Sequence, residues 1–156
     1  CLVNIIKIII NNIMNLVTLY ETINAKLYFN DSILYLIILT QNYIIEEIQL
    51  FIKYILNFFE YCKKLNLKIN IFYDFSCINF INVPIIEIFN NTKHLFMNLN
   101  SNDTICVNSF CILLNNKIVK NTLKILLKIV NPIKPYIITK SQEKIDQFLI
   151  NNVFLE

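Results

Sequence analysis

The sequence predicts an α/β domain in which a mixed, mostly parallel sheet follows an N-terminal β-hairpin and is covered by about four helices. Three observations lead there. Short apolar runs rich in Ile, Leu, Phe and Tyr alternate with longer stretches of helical periodicity, in the order β-β-α-β-α-β-α-β-α. Asn, Asp and Pro clusters punctuate the segments. At 156 residues the chain is sized for one domain with a sizeable core.

The elements follow in order. Residues 26–29 and 33–39, joined by Asn30-Asp31-Ser32, read as a hairpin. The second run, ILYLIIL, is nearly all apolar, which predicts a strand buried on both faces. Residues 44–64 form the clearest helix. Ile44, Ile45, Ile48, Phe51, Ile52, Ile55, Phe58, Phe59 and Cys62 recur at helical spacing, with Glu46 and Glu47 near its start and Lys63 and Lys64 at its end. Residues 67–73 are the next strand. Pro84 opens a helix over 84–99, at a position where its missing donor costs little. Residues 105–114 are mainly extended, and Asn115-Asn116 leads into a helix over 117–130. Pro132 ends that helix, and Pro135 starts a strand through Thr139. Ser141 caps a last helix over 142–153, with Ile145, Phe148 and Leu149 inward.

Composition narrows the chemistry. The chain has no Gly, Trp or Arg and a single Ala, Ala25. This bias reads as AT-rich coding, as in a large DNA virus or a protist. Without Gly, positive-φ positions fall to Asn or Asp, with Asn30-Asp31, Asn90-Asn91, Asn115-Asn116 and Asn151-Asn152 as candidates. A P-loop, a dinucleotide-binding turn, a nucleophile elbow and an EF-hand loop are excluded in their usual forms. Without Arg there is no bidentate clamp for phosphate or carboxylate. A net charge of +3 does not by itself point to nucleic acid. Cys1, Cys62, Cys77, Cys106 and Cys111 contain no CxxC pair and read as reduced, buried thiols in a cytoplasmic protein.

Residues 1–23 form an N-terminal extension, and residues 24–156 the domain. Asn4, Lys7, Asn11, Asn12 and Asn15 interrupt the apolar run 2–20, whereas a membrane span needs about 20 predominantly apolar residues. Two readings stay open: a weak amphipathic helix docked on the domain or a membrane surface, or translated upstream sequence preceding a start at Met14.

Three stretches give the chain a family likeness: IFYDFSCINFINVP, a strand ending in Asp74 and its loop; CILLNNKIVKNTLKILLKIVNPIKP; and YIITKSQEKIDQFL. Over residues 24–154 the pattern resembles the STAS-like domains, including the divergent branch related to CRAL-TRIO lipid-exchange domains. The resemblance implies a regulatory, protein-binding α/β fold. In the phosphorylated branch of that family a serine at the start of the helix after the central strand is modified by a kinase. Here Asn82, Val83, Pro84 and Ile85 stand there, and Ser76 lies nearer the strand. The resemblance therefore implies the fold and a binding role without the phosphoswitch.

The candidate interaction loop comprises Asp74, Phe75, Ser76, Phe80, Asn82, Val83 and Pro84. Asp74 is either an acid, base or ligand, or a carboxylate that caps the loop. His94, the single histidine, has no evident triad or metal partners. Lys117, Lys120, Lys124 and Lys128 form a basic stripe, extended by Lys134. It is either a solvated face opposite Ile118, Leu123, Ile125, Leu126 and Ile129, or a surface for acidic headgroups or an acidic partner. No aromatic platform is interleaved with these lysines, which argues against nucleic acid. Phe51, Phe58, Phe59, Phe72, Phe75, Phe80, Phe89, Phe96 and Phe110 either pack a core or line a lipid cavity. The expectation is a non-enzymatic, STAS-like protein-interaction or regulatory domain with no cofactor and no metal. A CRAL-TRIO-like lipid-binding module is the alternative.

Overall fold

A computed structural model of the chain describes residues 17–39, 45–78, 90, 106–132 and 134–153. Among the described residues six strands form one mixed sheet: β1 (Val17–Glu21), β2 (Ala25–Asn30), β3 (Ile33–Ile38), β4 (Ile69–Asp74), β5 (Val107–Leu113) and β6 (Tyr136–Thr139). Three helices are described: α1 (Ile45–Lys64), α2 (Lys117–Val130) and α3 (Gln142–Val153). The sheet order is sequential, β1 to β6. The first two pairings are antiparallel and the last three parallel.

The α/β class and the mixed sheet agree with the sequence reading. One strand is new. Val17–Glu21, inside the stretch read as an extension, pairs antiparallel with β2. Of the helix expected over 84–99 the described residues include Asn90, which is helical and exposed; the rest, with His94, Phe89 and Phe96, lies outside them.

The hairpin, α2, β6 and α3 form where the sequence places them, for visible local reasons. β2 and β3 are joined by Asp31 and Ser32, both at positive φ (46° and 66°). Two such residues make the turn whose twist matches a two-residue hairpin. The carbonyl of Ser32 also accepts the Asn70 N–H at 2.8 Å, tying the turn to β4. α1 ends at Asn66 (φ 53°), whose N–H donates to Lys63 O, while the Leu67 N–H reaches back to Cys62 O. This is a Schellman closure with Asn in the place usually held by Gly. α2 starts at Asn116, whose Oδ1 accepts from the N–H of Ile118 and Val119, and stops at left-handed Asn131. Among the described residues the positive-φ positions are thus Asp31, Ser32, Asn66 and Asn131. Asn116 is an extended N-cap (φ −77°), and Asn151 and Asn152 are helical, so those two candidate pairs are corrected.

The core lies mainly on one face of the sheet. Leu27, Leu34, Leu36, Ile71, Tyr73, Phe110, Ile112 and Ile138 meet Phe51, Ile55, Phe58, Phe59 and Cys62 of α1 and Val119 and Leu127 of α2. On the second face, α3 brings Ile145 and Leu149 onto Phe72 and Cys111, with Tyr35, Leu113 and Ile137 packed at the margin. β4 is therefore buried on both faces up to Tyr73. β3 is not: Leu34 and Leu36 are buried, but Ile33, Tyr35 and Ile37 are only half-buried. The expected two-sided burial of ILYLIIL fails because α3 covers the β4–β6 half of the second face. The phenylalanines Phe51, Phe58, Phe59, Phe72 and Phe110 are core residues.

Candidate functional site

The candidate loop starts at the carboxyl end of β4. Asp74 is half-buried and its Oδ1 accepts the Ser76 N–H at 2.9 Å. That is the capping role: a short polar side chain closes a turn on its own backbone two residues on. The Asn115 Nδ2 donates to Ser76 O at 3.3 Å, and the Phe75 N–H donates to Leu113 O at 3.0 Å. Ser76 is thus held from β4 and from the loop after β5. Phe75 is half-buried and packs on the core, its ring 5.9 Å from that of Tyr73. Within the candidate loop Phe75 is therefore a core-packing residue and not an exposed contact. Phe80, Asn82, Val83 and Pro84 lie outside the described residues.

Asp74 also belongs to a row of side chains on the second face. Strand register aligns Lys26, Ile37, Asp74 and Leu113 across β2 to β5, and the next row aligns Tyr28, Tyr35, Phe72 and Cys111. Tyr28 and Tyr35 stack at 4.6 Å, nearly parallel, and Tyr35 meets Phe72 edge-on. Lys26 lies 5.8 Å from the centre of the Tyr28 ring and pairs with Glu21 at 3.3 Å. Burial, and then the nearby Asp74 carboxylate, hold the Tyr28 phenol above its ordinary value. Burial does the same to Tyr35, with Tyr28, Asp31 and Asp146 adding to it. Both phenols are neutral donors at physiological pH.

The cysteine reading is corrected at one position. Cys62, Cys106 and Cys111 are buried, but Cys77, just past the Asp74 turn, is exposed. Burial pushes the Cys62 and Cys111 thiols up to about 12 and raises Cys106 as well. These three are inert packing thiols. No group of three or more potential metal ligands occurs among the described residues.

The basic stripe on α2 yields the larger surprise. Lys117, Lys124 and Lys128 are exposed and Lys120 is half-buried, so the lysines do share one side of the helix. Of the five apolar residues expected opposite them, Leu123 packs on the core and Leu126 is half-buried, but the three isoleucines do not point inward. Ile118, Ile125 and Ile129 are 75%, 60% and 74% exposed, whereas Val119 and Leu127 are buried and Leu123 packs at the core margin. The apolar arc of α2 is wider than the contact it makes with the sheet. The core takes the Val119–Leu123–Leu127 edge, and the Ile118–Ile125–Ile129 edge stays in solvent beside the lysines. The sequence signal was present. Ile and Val alternate with Lys over KIVKNTLKILLKIV, so periodicity alone defines an arc too broad to say which edge the sheet covers.

No family model, curated protein or solved structure matches the chain. No described helix is long and apolar enough to cross a membrane.

Proposed function

We propose that this chain is a non-enzymatic, STAS-like interaction domain that engages its partner through the outer face of α2. The observation that carries the reading is the exposure of Ile118, Ile125 and Ile129 along one edge of a helix whose next sector is lysine. Scattered surface isoleucines are ordinary, but these three share one side of one helix, Ile118 two turns before Ile125 and Ile125 one turn before Ile129, with Thr122 between the first two; an apolar side of this kind marks an interaction surface. The polar groups at the carboxyl edge support the same reading. Asp74, Asn115, Asn116 and Thr139 are engaged in turn and cap hydrogen bonds. The sequential strand order also matters. Open α/β sheets bind small ligands where the strand order reverses, and this order does not reverse. The Asp74–Ser76 turn then serves as a fixed part of the frame, in keeping with the absence of a hydroxyl at Val83 and Pro84.

The test is affinity capture from cells expressing the chain, comparing wild type with the Ile125→Glu/Ile129→Glu variant and with Ile150→Glu on the exposed side of α3. A binding species kept by wild type and by the α3 variant but lost by the α2 variant is the expected result. Equal capture by all three overturns the assignment of the surface. Native mass spectrometry adds a second arm: a lipid bound one-to-one and retained by the α2 variant would replace this reading with the lipid-carrier alternative.

A further inference from the structure

Resting on the reading of α2 as the contact surface, we infer that its partner is an anionic membrane surface, on which the helix lies flat. α2 is 14 residues long and spans about 21 Å, so it presents a short rod parallel to the surface it meets. Its outer side has two adjacent sectors. One holds Ile118, Thr122, Ile125 and Ile129, and the other holds Lys117, Lys124 and Lys128. There is no Asp or Glu anywhere in the helix. An interfacial helix needs this combination: apolar side chains that enter the headgroup–acyl boundary, and cations that stay at headgroup level on flexible stems.

The composition separates a bilayer from a protein partner. Protein interfaces are anchored by Tyr, Trp and Arg in pockets and are depleted in Lys. The chain has no Trp or Arg anywhere, and α2 has no Tyr or Phe either: its outer face carries isoleucine and lysine, with Asn121 and Thr122 as the other polar residues. Lysines that each add attraction to anionic headgroups, combined with shallow aliphatic insertion, make binding depend on both sectors together. Neither sector is needed to hold the fold, because Val119, Leu123 and Leu127 form the edge that meets the sheet.

The experiment is vesicle cosedimentation of the full chain. Vesicles of phosphatidylcholine alone are compared with vesicles containing phosphatidylserine, at low and physiological salt. Binding to the anionic vesicles, weakened by salt and absent on neutral ones, is expected. The triple variant Lys117→Gln/Lys124→Gln/Lys128→Gln should lower partitioning on the order of a hundredfold, at about fivefold per lysine. The same positions changed to Arg should restore it. Ile125→Ser/Ile129→Ser should lower it about tenfold or more. Unchanged thermal midpoints identify each variant as folded. Equal binding to neutral vesicles overturns the proposal, and so does binding indifferent to the isoleucine change. If no vesicle is bound while the α2 variant still loses a captured protein, the lipid assignment fails and the interaction reading stands. If the variant also captures as wild type does, both fail.

Discussion

The Ser109 hydroxyl donates to Asn70 Oδ1 at 2.8 Å, and both residues are buried in the sheet. The bond sits just past a slip in register: Ile69 faces Val107, but Asn70 faces Ser109, leaving Asn108 as the extra residue in β5. A polar pair inside an apolar sheet rewards one alignment only, because sliding β5 by one position removes the donor and buries the acceptor alone.

That pair gives the first prediction. Ser109→Ala leaves Asn70 Oδ1 buried without this donor and should destabilise the fold by about 1–3 kcal/mol. Urea unfolding followed by circular dichroism should show a lower midpoint with an unchanged slope. Asn70→Leu combined with Ser109→Ala should recover part of the loss, because the unmatched polar atom is gone. A double variant worse than the single one would show that Asn70 is held by other means.

The second prediction concerns a chain without glycine. Ser32 is at φ 66° in the hairpin turn, and a non-Gly residue in the left-handed region costs about 1–2 kcal/mol. Ser32→Gly should therefore raise stability by about 1 kcal/mol. Asn131→Ala, at φ 48° in the α2 C-cap, should lower it by about 1 kcal/mol, since Asn tolerates that region better than Ala. Thermal melts of the two variants should move in opposite directions.

These positions show why some of the fold was legible and some was not. α2 and α3 could be placed from sequence to the residue because their stops are local chemistry: Asn116 caps one, Asn131 ends it, and Ser141 precedes the other. β1 was missed because its five residues, VTLYE, follow an Asn-interrupted apolar run and are too few to separate a strand from a helix by pattern, and its partner β2 lies across a turn containing Thr22. The half-exposed β3 was misread because only the tertiary placement of α3 decides which strands have both faces covered. Asp74 as a cap was legible from its place at a strand end. The exposed isoleucines were not, since a broad apolar arc does not say which edge meets the sheet.

The third prediction follows from the buried thiols. Cys62 and Cys111 have folded-state values raised to about 12 from an ordinary 9.0. Their burial stabilises the native state fully below pH 9, where both states are protonated, and that contribution is lost as pH rises toward 12. The unfolding midpoint should fall across this alkaline window. At neutral pH a thiol reagent should modify Cys77 in the native protein and reach Cys62, Cys106 and Cys111 only after denaturation, as read by peptide mass spectrometry. Rapid native labelling of Cys111 would contradict its placement beneath α3.

The last prediction separates the two edges of α2 by stability alone. Leu127 is fully buried and Ile125 is 60% exposed, although the two are two residues apart on one helix and both fit an apolar arc. Leu127→Ala removes packed side-chain volume under the helix and should cost about 2–5 kcal/mol. Ile125→Ala touches solvent and should stay within about 0.5 kcal/mol of wild type. If α2 instead rested on its isoleucine edge, the order of the two effects would reverse, and the surface assigned to the partner would be core. Denaturant midpoints of the two single variants therefore decide the helix's rotation before any binding partner is in hand. Only the order Leu127→Ala below Ile125→Ala leaves Ile118, Ile125 and Ile129 free to meet a membrane.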